Sequence, residues 1–178
     1  MKGGGVGING VNTSPGKAAE NMTSLGARGY IYNKSNGLPA DLVESMQTFL
    51  FGAGRFEFEL SGLLSDMAAT GYTYDLIAHS QGGIQLGTAL RHSQGTFAEG
   101  STVSFRNTPL DPLRASLAGQ SSGLQVNYDA NAFDIVTVPG NPWLAPTAVA
   151  GTIRNSVVHR DPIYAHSLRS NGMGVHSP

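Results

Sequence analysis

The sequence predicts an α/β fold, in which a mostly parallel sheet carries helices on both of its faces. Short apolar segments of strand length alternate along the chain with longer segments whose apolar residues recur at helical spacing. Strands that alternate with helices favour parallel pairing, because the crossover helices cover the sheet. The third observation is the length. A chain of 178 residues suits one domain, so we expect residues 1–178 to fold together.

The first half of the chain contains three predicted strands and three predicted helices. Residues 6–11 form a short apolar strand, and Ser14 and Pro15 then have the cap and first-turn chemistry of a helix that ends near Arg28. Apolar spacing and turn residues predict the other elements. These are a strand at Tyr30–Tyr32, a helix spaced by Leu42, Met46 and Phe49, a helix spaced by Leu60, Leu64 and Met67 that ends at Gly71, and a strand at Thr73–Ala78.

The second half of the chain continues the alternation. Asp111 and Pro112 have the cap and first-turn chemistry of a helix. Alternating apolar residues predict a strand on each side of that helix. In chain order the predicted elements are a helix from Gly83 to about Arg91, a strand with Val103 and Phe105, the helix after Asp111, a strand with Leu124, Val126 and Tyr128, and a last strand at Ile153–Val158.

The tetrapeptide HSQG occurs twice, and only its first copy is placed for chemistry. Ser80 follows a predicted strand, precedes a predicted helix, and has the small residues Ala78 and Gly82 two positions before and after it. A sharp turn between a strand and a helix needs such small neighbours and presents the serine hydroxyl above the sheet. Ser93 lies at the far end of the same helix, where Gly95 suits a helix terminus. The competing interpretation of Ser80 is a tight polar turn without chemistry.

The segment 76–83, LIAHSQGG, resembles the nucleophile elbow of bacterial lipases and esterases of the α/β-hydrolase superfamily, with A-x-S-x-G in place of G-x-S-x-G. The predicted order of elements agrees with that family over most of the chain. The resemblance implies a minimal α/β-hydrolase fold that begins at the strand carrying the oxyanion loop. More weakly, the chain resembles hydrolase domains at the ends of large bacterial surface or toxin-like proteins.

The resemblance also implies a catalytic triad in the chain order serine, acid, histidine, with Ser80 as the nucleophile. Asp134 matches the acid, because it follows the last strand but one and is flanked by apolar residues. Asp129 is the alternative acid, and we expect it to cap a turn instead. Two histidines compete for the base. His159 ends the last predicted strand, whereas His166 lies on the following loop, where the family usually carries its histidine, so His166 is preferred.

Two backbone N–H groups are expected to hold the oxyanion of the acyl-transfer reaction. Gln81 follows the nucleophile directly, and its N–H is the first donor. The segment 9–12, NGVN, resembles the lipase His-Gly loop with Asn in place of His, which makes the N–H of Val11 the second donor. His79, beside the nucleophile, is expected to support the site rather than to catalyse.

The segment 136–150, between the predicted acid and base, holds the only tryptophan and no charged residue. A loop of this length in a compact domain is often functional. We expect Trp143 and Leu144 to line an apolar wall for the acyl chain of a small-molecule or lipid ester. The alternative is a packed connection in which Trp143 covers the edge of the sheet.

Composition and motifs exclude several other classes of function. The net charge is −1 and no basic cluster occurs, whereas binding to nucleic acid needs concentrated Lys and Arg. The chain has no cysteine for a disulfide or a thiolate metal site. The segment 5–10, GVGING, matches G-x-G-x-x-G but lacks the preceding strand and the later acidic residue of a dinucleotide site. We therefore expect no cofactor and no metal.

The sequence leaves the location of the protein and its oligomeric state open. No apolar run has the length of a membrane span or of a signal peptide. The chain suits either a free enzyme or a fragment of a larger exported bacterial protein. The function predicted is hydrolysis of carboxylic esters by a serine hydrolase. The alternatives are a non-catalytic hydrolase-like module for binding or assembly, and a hydrolase effector domain of a longer exported protein.

Overall fold

The computed structural model describes residues 2–9, 14–32 and 53–131, together with six positions between 138 and 150. Five strands and four helices lie in these residues. The strands are β1 (Lys2–Ile8), β2 (Gly29–Ile31), β3 (Thr73–His79), β4 (Thr102–Arg106) and β5 (Gln125–Asp129). The helices are α1 (Pro15–Ser24), α2 (Arg55–Ala69), α3 (Gln81–His92) and α4 (Pro112–Ser121).

The described strands make one parallel sheet in the order β2-β1-β3-β4-β5. The prediction of an α/β fold with a parallel sheet is therefore confirmed. The chain moves outward from β1 to β2, returns to β3 on the other side of β1, and then continues to β5. In open sheets of this kind, ligands bind at the carboxyl ends of the two strands where the direction reverses. Here those strands are β1 and β3.

The side chains of β3 show which face of the sheet each helix covers. Leu76 and Ala78 are buried with residues of α2, α3 and α4, whereas Ile77 is buried with Met22 of α1 and with Ala27. Successive strand side chains point to opposite faces, so α1 lies on one face and the other three helices on the second. Among the described helices, none combines the length and hydropathy needed to cross a lipid bilayer.

The starts of two helices follow the predicted chemistry. Ser14 caps α1, where its hydroxyl oxygen accepts a hydrogen bond from the N–H of Lys17 at 3.4 Å. Asp111 caps α4, where its carboxylate accepts from the N–H of Arg114 at 2.9 Å. Both helices have proline in their first turn. These local signals were readable because a helix start depends on residues close in sequence.

The boundaries of β1 and the end of α1 differ from the prediction. β1 begins at Lys2 and ends at Ile8, so it starts before the predicted strand at residues 6–11 and includes glycines that precede it. A Cβ on Gly5 would lie 3.0 Å from the carbonyl oxygen of Gly26, so glycine allows this strand to approach the turn after α1. That turn ends α1 at Ser24, earlier than expected. The elements predicted around residues 42–49 and 153–158 lie outside the described residues.

Candidate active site

Ser80 joins β3 to α3 in a backbone conformation that side-chain-bearing residues rarely adopt. Its φ is 58° and its ψ is −129°. Within the described ranges, only Ser80 and Asn107 have a positive φ without being glycine. A residue held in so sparsely populated a region costs about 1–3 kcal/mol, and such residues cluster at functional sites. The strand-turn-helix setting predicted for Ser80 is confirmed.

Backbone hydrogen bonds hold this turn from both sides. The N–H of Ser80 donates to the carbonyl of Arg106 at 3.1 Å, which continues the ladder between β3 and β4 into the turn. The carbonyl of Ser80 accepts from the N–H of Gly83 at 3.0 Å. The position of Ser80 is therefore tied both to the sheet and to the first turn of α3.

Two glycines explain why the helix can start so close to the sheet. A Cβ on Gly82 would lie 2.7 Å from the carbonyl oxygens of both Ile8 and Asn9, at the end of β1. A Cβ on Gly83 would overlap the side chain of Thr108, which follows β4. The first turn of α3 is thus packed between the chain segments that leave β1 and β4. These contacts require glycine at position 82, which was predicted to permit the turn, and at position 83.

The hydroxyl of Ser80 does not cap the helix that it precedes. Ser14 and Asp111, at the same position of their helices, have φ near −72° and accept a bond from the first turn. Ser80, with its positive φ, makes no such bond. Its residue is 1% exposed, and its Oγ has no hydrogen-bond partner among the described residues. A buried hydroxyl without a hydrogen-bond partner lowers the stability of the fold by about 1–3 kcal/mol. Its presence therefore indicates a role other than stability.

The second HSQG copy forms an ordinary helix end, as predicted. Ser93 is the C-cap of α3, with an extended backbone at φ −69° and ψ 149°. Its hydroxyl donates to the carbonyl of Leu90 at 2.8 Å, and its N–H donates to Ala89. Gly95, which we expected at the cap, lies two residues later with φ +86°. The two serines therefore differ in backbone strain and in hydrogen bonding.

The N-terminus of α3 offers positive charge beside Ser80. Gln81 is the first residue of the helix and is buried. The first N–H groups of a helix have no acceptor one turn earlier, and the aligned peptide dipoles concentrate positive charge there. No acidic residue lies in this first turn to offset that charge, and Arg91 and His92 lie in the last turn. This arrangement suits an oxyanion.

The segment expected to supply the second donor begins beside the same helix end. Asn9 directly follows β1, is buried, and contacts the position of Gly82 through its carbonyl oxygen. Val11 itself lies outside the described residues, so its assignment stays a prediction. His79, the last residue of β3, is buried and pairs in register with Arg106.

The structure does not describe the other predicted site residues. They are Asp134, His159, His166, Trp143 and Leu144. Asp129, the alternative acid, is described. It is the last residue of β5, and its carboxylate pairs with the Arg106 guanidinium at 2.7 Å. The carboxylate of this alternative acid is therefore engaged in an ion pair with Arg106.

Asn107 is a buried polar residue near the site that the sequence interpretation missed. It follows β4 directly, has φ 44°, and is 2% exposed. Asparagine tolerates positive φ better than most residues, and its position at the carboxyl end of a predicted strand was the available signal. Its contacts reach residues far away in sequence, so no local pattern showed them.

Comparison with known proteins adds no family assignment. No family model matches the chain, and no curated protein or solved structure matches it. The resemblance to α/β hydrolases therefore rests on the segment 76–83 of the sequence and stays a prediction.

Glycine at position 80 should relieve the strained backbone. We expect Ser80→Gly to be more stable than Ser80→Ala by about 1–2 kcal/mol, because glycine adopts a positive φ without strain whereas alanine does not. Urea unfolding of both variants measures the difference. The matched control is Ser93, whose extended backbone gives glycine no advantage, so Ser93→Ala should be at least as stable as Ser93→Gly. Equal stability of the two Ser80 variants would contradict the strain.

Alanine at Gly82 should disrupt the packing of α3 against β1. Its Cβ would meet two backbone oxygens at 2.7 Å, and backbone has little freedom to move away, so we expect a loss of about 1–3 kcal/mol or more. Gly62 in α2 is the control, because a Cβ there meets nothing within 4 Å. Gly62→Ala should stabilise by about 0.5–1 kcal/mol. Thermal unfolding compares the two, and a stabilised Gly82→Ala would exclude this packing.

Proposed function

We propose that the chain is a serine hydrolase that cleaves carboxylic esters by acyl transfer. The observation that carries the proposal concerns Ser80, at the N-terminus of α3. Its backbone is strained and its hydroxyl makes no cap hydrogen bond to the helix. A serine used only to start a helix would adopt the extended conformation and accept a bond from the first turn, as Ser14 does. Ser80 does neither, so its hydroxyl is not engaged in capping α3.

The proposed reaction follows the general scheme of an activated serine. Ser80 Oγ attacks the ester carbonyl carbon while a histidine takes its proton. His166 is the preferred base and His159 the alternative. The tetrahedral intermediate collapses, the carbon–oxygen bond to the alcohol breaks, and the histidine returns the proton to the leaving alcohol. Water then hydrolyses the acyl-enzyme by the same steps, and Asp134 orients the imidazole and stabilises its charged form.

The oxyanion of the intermediate would be held by the N–H groups of Gln81 and Val11. The position of Gln81 supports this role, because it is the first helical residue after the nucleophile. The carbonyls of Ile8 and Asn9 lie against Gly82, so the segment that carries Val11 starts at the same helix end. The surroundings of Ser80 are buried, which strengthens such electrostatic stabilisation.

For the substrate we propose an uncharged ester with an apolar acyl chain. Trp143 and Leu144, in the uncharged segment 136–150, are the residues proposed to contact that chain. On this basis medium-chain esters should be better substrates than acetate. The natural ester would be a small molecule or a lipid. The same chemistry would apply whether the chain is a free enzyme or an effector domain of a longer exported protein.

The second candidate function is a non-catalytic hydrolase-like module. The observation that favours it is the burial of Ser80, which is 1% exposed. An ester reaches the hydroxyl only after displacing the atoms that cover it. A module for binding or assembly needs no such access, so chemical reactivity at Ser80 separates the two functions.

A fluorophosphonate probe tests the proposal directly. The probe reacts with an activated serine, so peptide mass spectrometry should find the adduct on Ser80 and none on Ser93, which lies in the same HSQG context. Ser80→Ala should remove both the labelling and the hydrolysis of p-nitrophenyl esters while the protein stays folded. A folded protein that hydrolyses no ester and takes no label would favour the non-catalytic module.

Single substitutions decide which histidine is the base. His166→Ala should lower kcat about 10³-fold or more, the range seen when a triad member is lost, whereas His159→Ala should act mainly on thermal stability. Steady-state kinetics and thermal unfolding of both variants provide the comparison. A large kcat loss in His159→Ala with normal activity in His166→Ala would exchange the two roles.

A further inference from the structure

The hydrogen bonding of the sheet continues one residue beyond the ends of β3 and β4. The N–H of Ser80 donates to the carbonyl of Arg106 at 3.1 Å. The N–H of Asn107 donates to the carbonyl of Asp129 at 2.8 Å. The accepting carbonyl and the donating N–H belong to one peptide, which joins Arg106 to Asn107. A peptide is planar and trans, so these two groups point in opposite directions. This peptide therefore connects Ser80 to the end of β5.

The backbone conformation of Asn107 sets the direction of that peptide. Its φ is 44°, and φ is the rotation about the bond between the peptide nitrogen and Cα. A residue with φ in the ordinary helical or extended range would differ from it by about 100° or more. Asparagine adopts a positive φ more readily than most residues. With the side chain of Asn107 held in place, a negative φ would turn the Arg106 carbonyl away from Ser80.

A hydrogen bond from the chain after β5 holds that side chain. Asn107 Oδ1 accepts from the N–H of Asn131 at 3.0 Å, and Asn107 is 2% exposed. Asn131 lies beyond the carboxyl end of β5, so the contact is made at the same edge of the sheet as Ser80. Movement of the side chain would take this acceptor from the N–H of Asn131, which is costly. Asn107 is thus anchored through its side chain and through its backbone N–H.

We propose that Asn107 is a positioning residue for the nucleophile, an inference that rests on the proposed function. Its positive φ and its bond to Asn131 hold the peptide after Arg106, and the carbonyl of that peptide holds the N–H of Ser80. Ser80 has a strained φ of 58°, and a strained conformation persists only where its surroundings impose it. Asn107 therefore acts through the backbone of Ser80, which carries the attacking hydroxyl, and does not contact the ester.

Hydrogen exchange of the Ser80 amide measures the proposed coupling without any enzyme activity. Asn107→Ala removes Oδ1 and disfavours a positive φ, so the Ser80 N–H should lose its bond and exchange about 10-fold faster or more. The N–H of Ser93, which donates to Ala89, should keep its rate. The control variant is Asn127→Ala, at an exposed asparagine of β5 without a positive φ, and it should change neither rate. NMR spectra recorded after transfer to D2O give both rates.

Two further variants separate the backbone of Asn107 from its side chain. Asn107→Gly permits a positive φ but has no Oδ1, so Ser80 exchange should lie between that of the wild type and that of Asn107→Ala. Asn107→Asp tolerates a positive φ and keeps an oxygen for the N–H of Asn131, so its rate should stay within about threefold of the wild type. Exchange as fast in Asn107→Asp as in Asn107→Ala, or wild-type exchange in all three variants, would overturn the role of Asn107.

The same variants connect the backbone to catalysis. Asn107→Ala should lower kcat for a p-nitrophenyl ester about 10- to 100-fold with KM nearly unchanged, because a small displacement of a reacting group costs that much. Labelling of Ser80 by the fluorophosphonate should slow by a similar factor. Wild-type kcat and labelling in a variant whose Ser80 amide exchanges fast would contradict the positioning role. If the wild-type protein takes no label, the proposed function fails, and the exchange rates still decide whether Asn107 holds the turn at Ser80.

Discussion

The backbone of Ser80 is the constraint on which the arrangement of the site depends. A helix that started in the usual way after β3 would turn its first side chain into its own first turn and use the hydroxyl as a cap. With φ at 58°, the chain instead bends sharply, and the hydroxyl at the helix N-terminus makes no cap hydrogen bond. The bond from Ser80 to the Arg106 carbonyl and the contact of Gly82 with the end of β1 impose this conformation.

The arrangement costs stability, and that cost is informative. Backbone strain at Ser80 and a buried hydroxyl that has no hydrogen-bond partner among the described residues each cost about 1–3 kcal/mol, against a net stability of about 5–15 kcal/mol for an ordinary domain. Asn107, which directly follows the adjacent strand β4, adds a second positive φ and a buried donor. Strained and incompletely satisfied groups therefore gather at the carboxyl ends of β3 and β4, at the edge of the sheet where ligands bind in folds of this type.

The sequence predicted the features that depend on neighbouring residues. The caps at Ser14 and Asp111 and the strand-turn-helix setting of Ser80 each rest on a few adjacent positions. It did not predict the early start of β1, because Gly5 is required by a contact with the turn after α1. The sequence did not reveal Asn107 for the same reason. The side chain of Asn107 accepts a hydrogen bond from Asn131, which follows α4 and β5 in the chain. The acid, the base and the acyl-chain contacts remain predictions from sequence.

The central claim is that Ser80 forms a covalent acyl-enzyme, and a slow substrate tests it most directly. A p-nitrophenyl carbamate transfers its carbamoyl group to an activated serine, and the resulting ester hydrolyses slowly enough to be isolated. The account predicts that each chain releases one equivalent of p-nitrophenolate and that digestion locates the carbamoyl group on Ser80. Hydrolysis of carboxylic esters accompanied by a carbamoyl group on another residue, or by an equal release from Ser80→Ala, would contradict it.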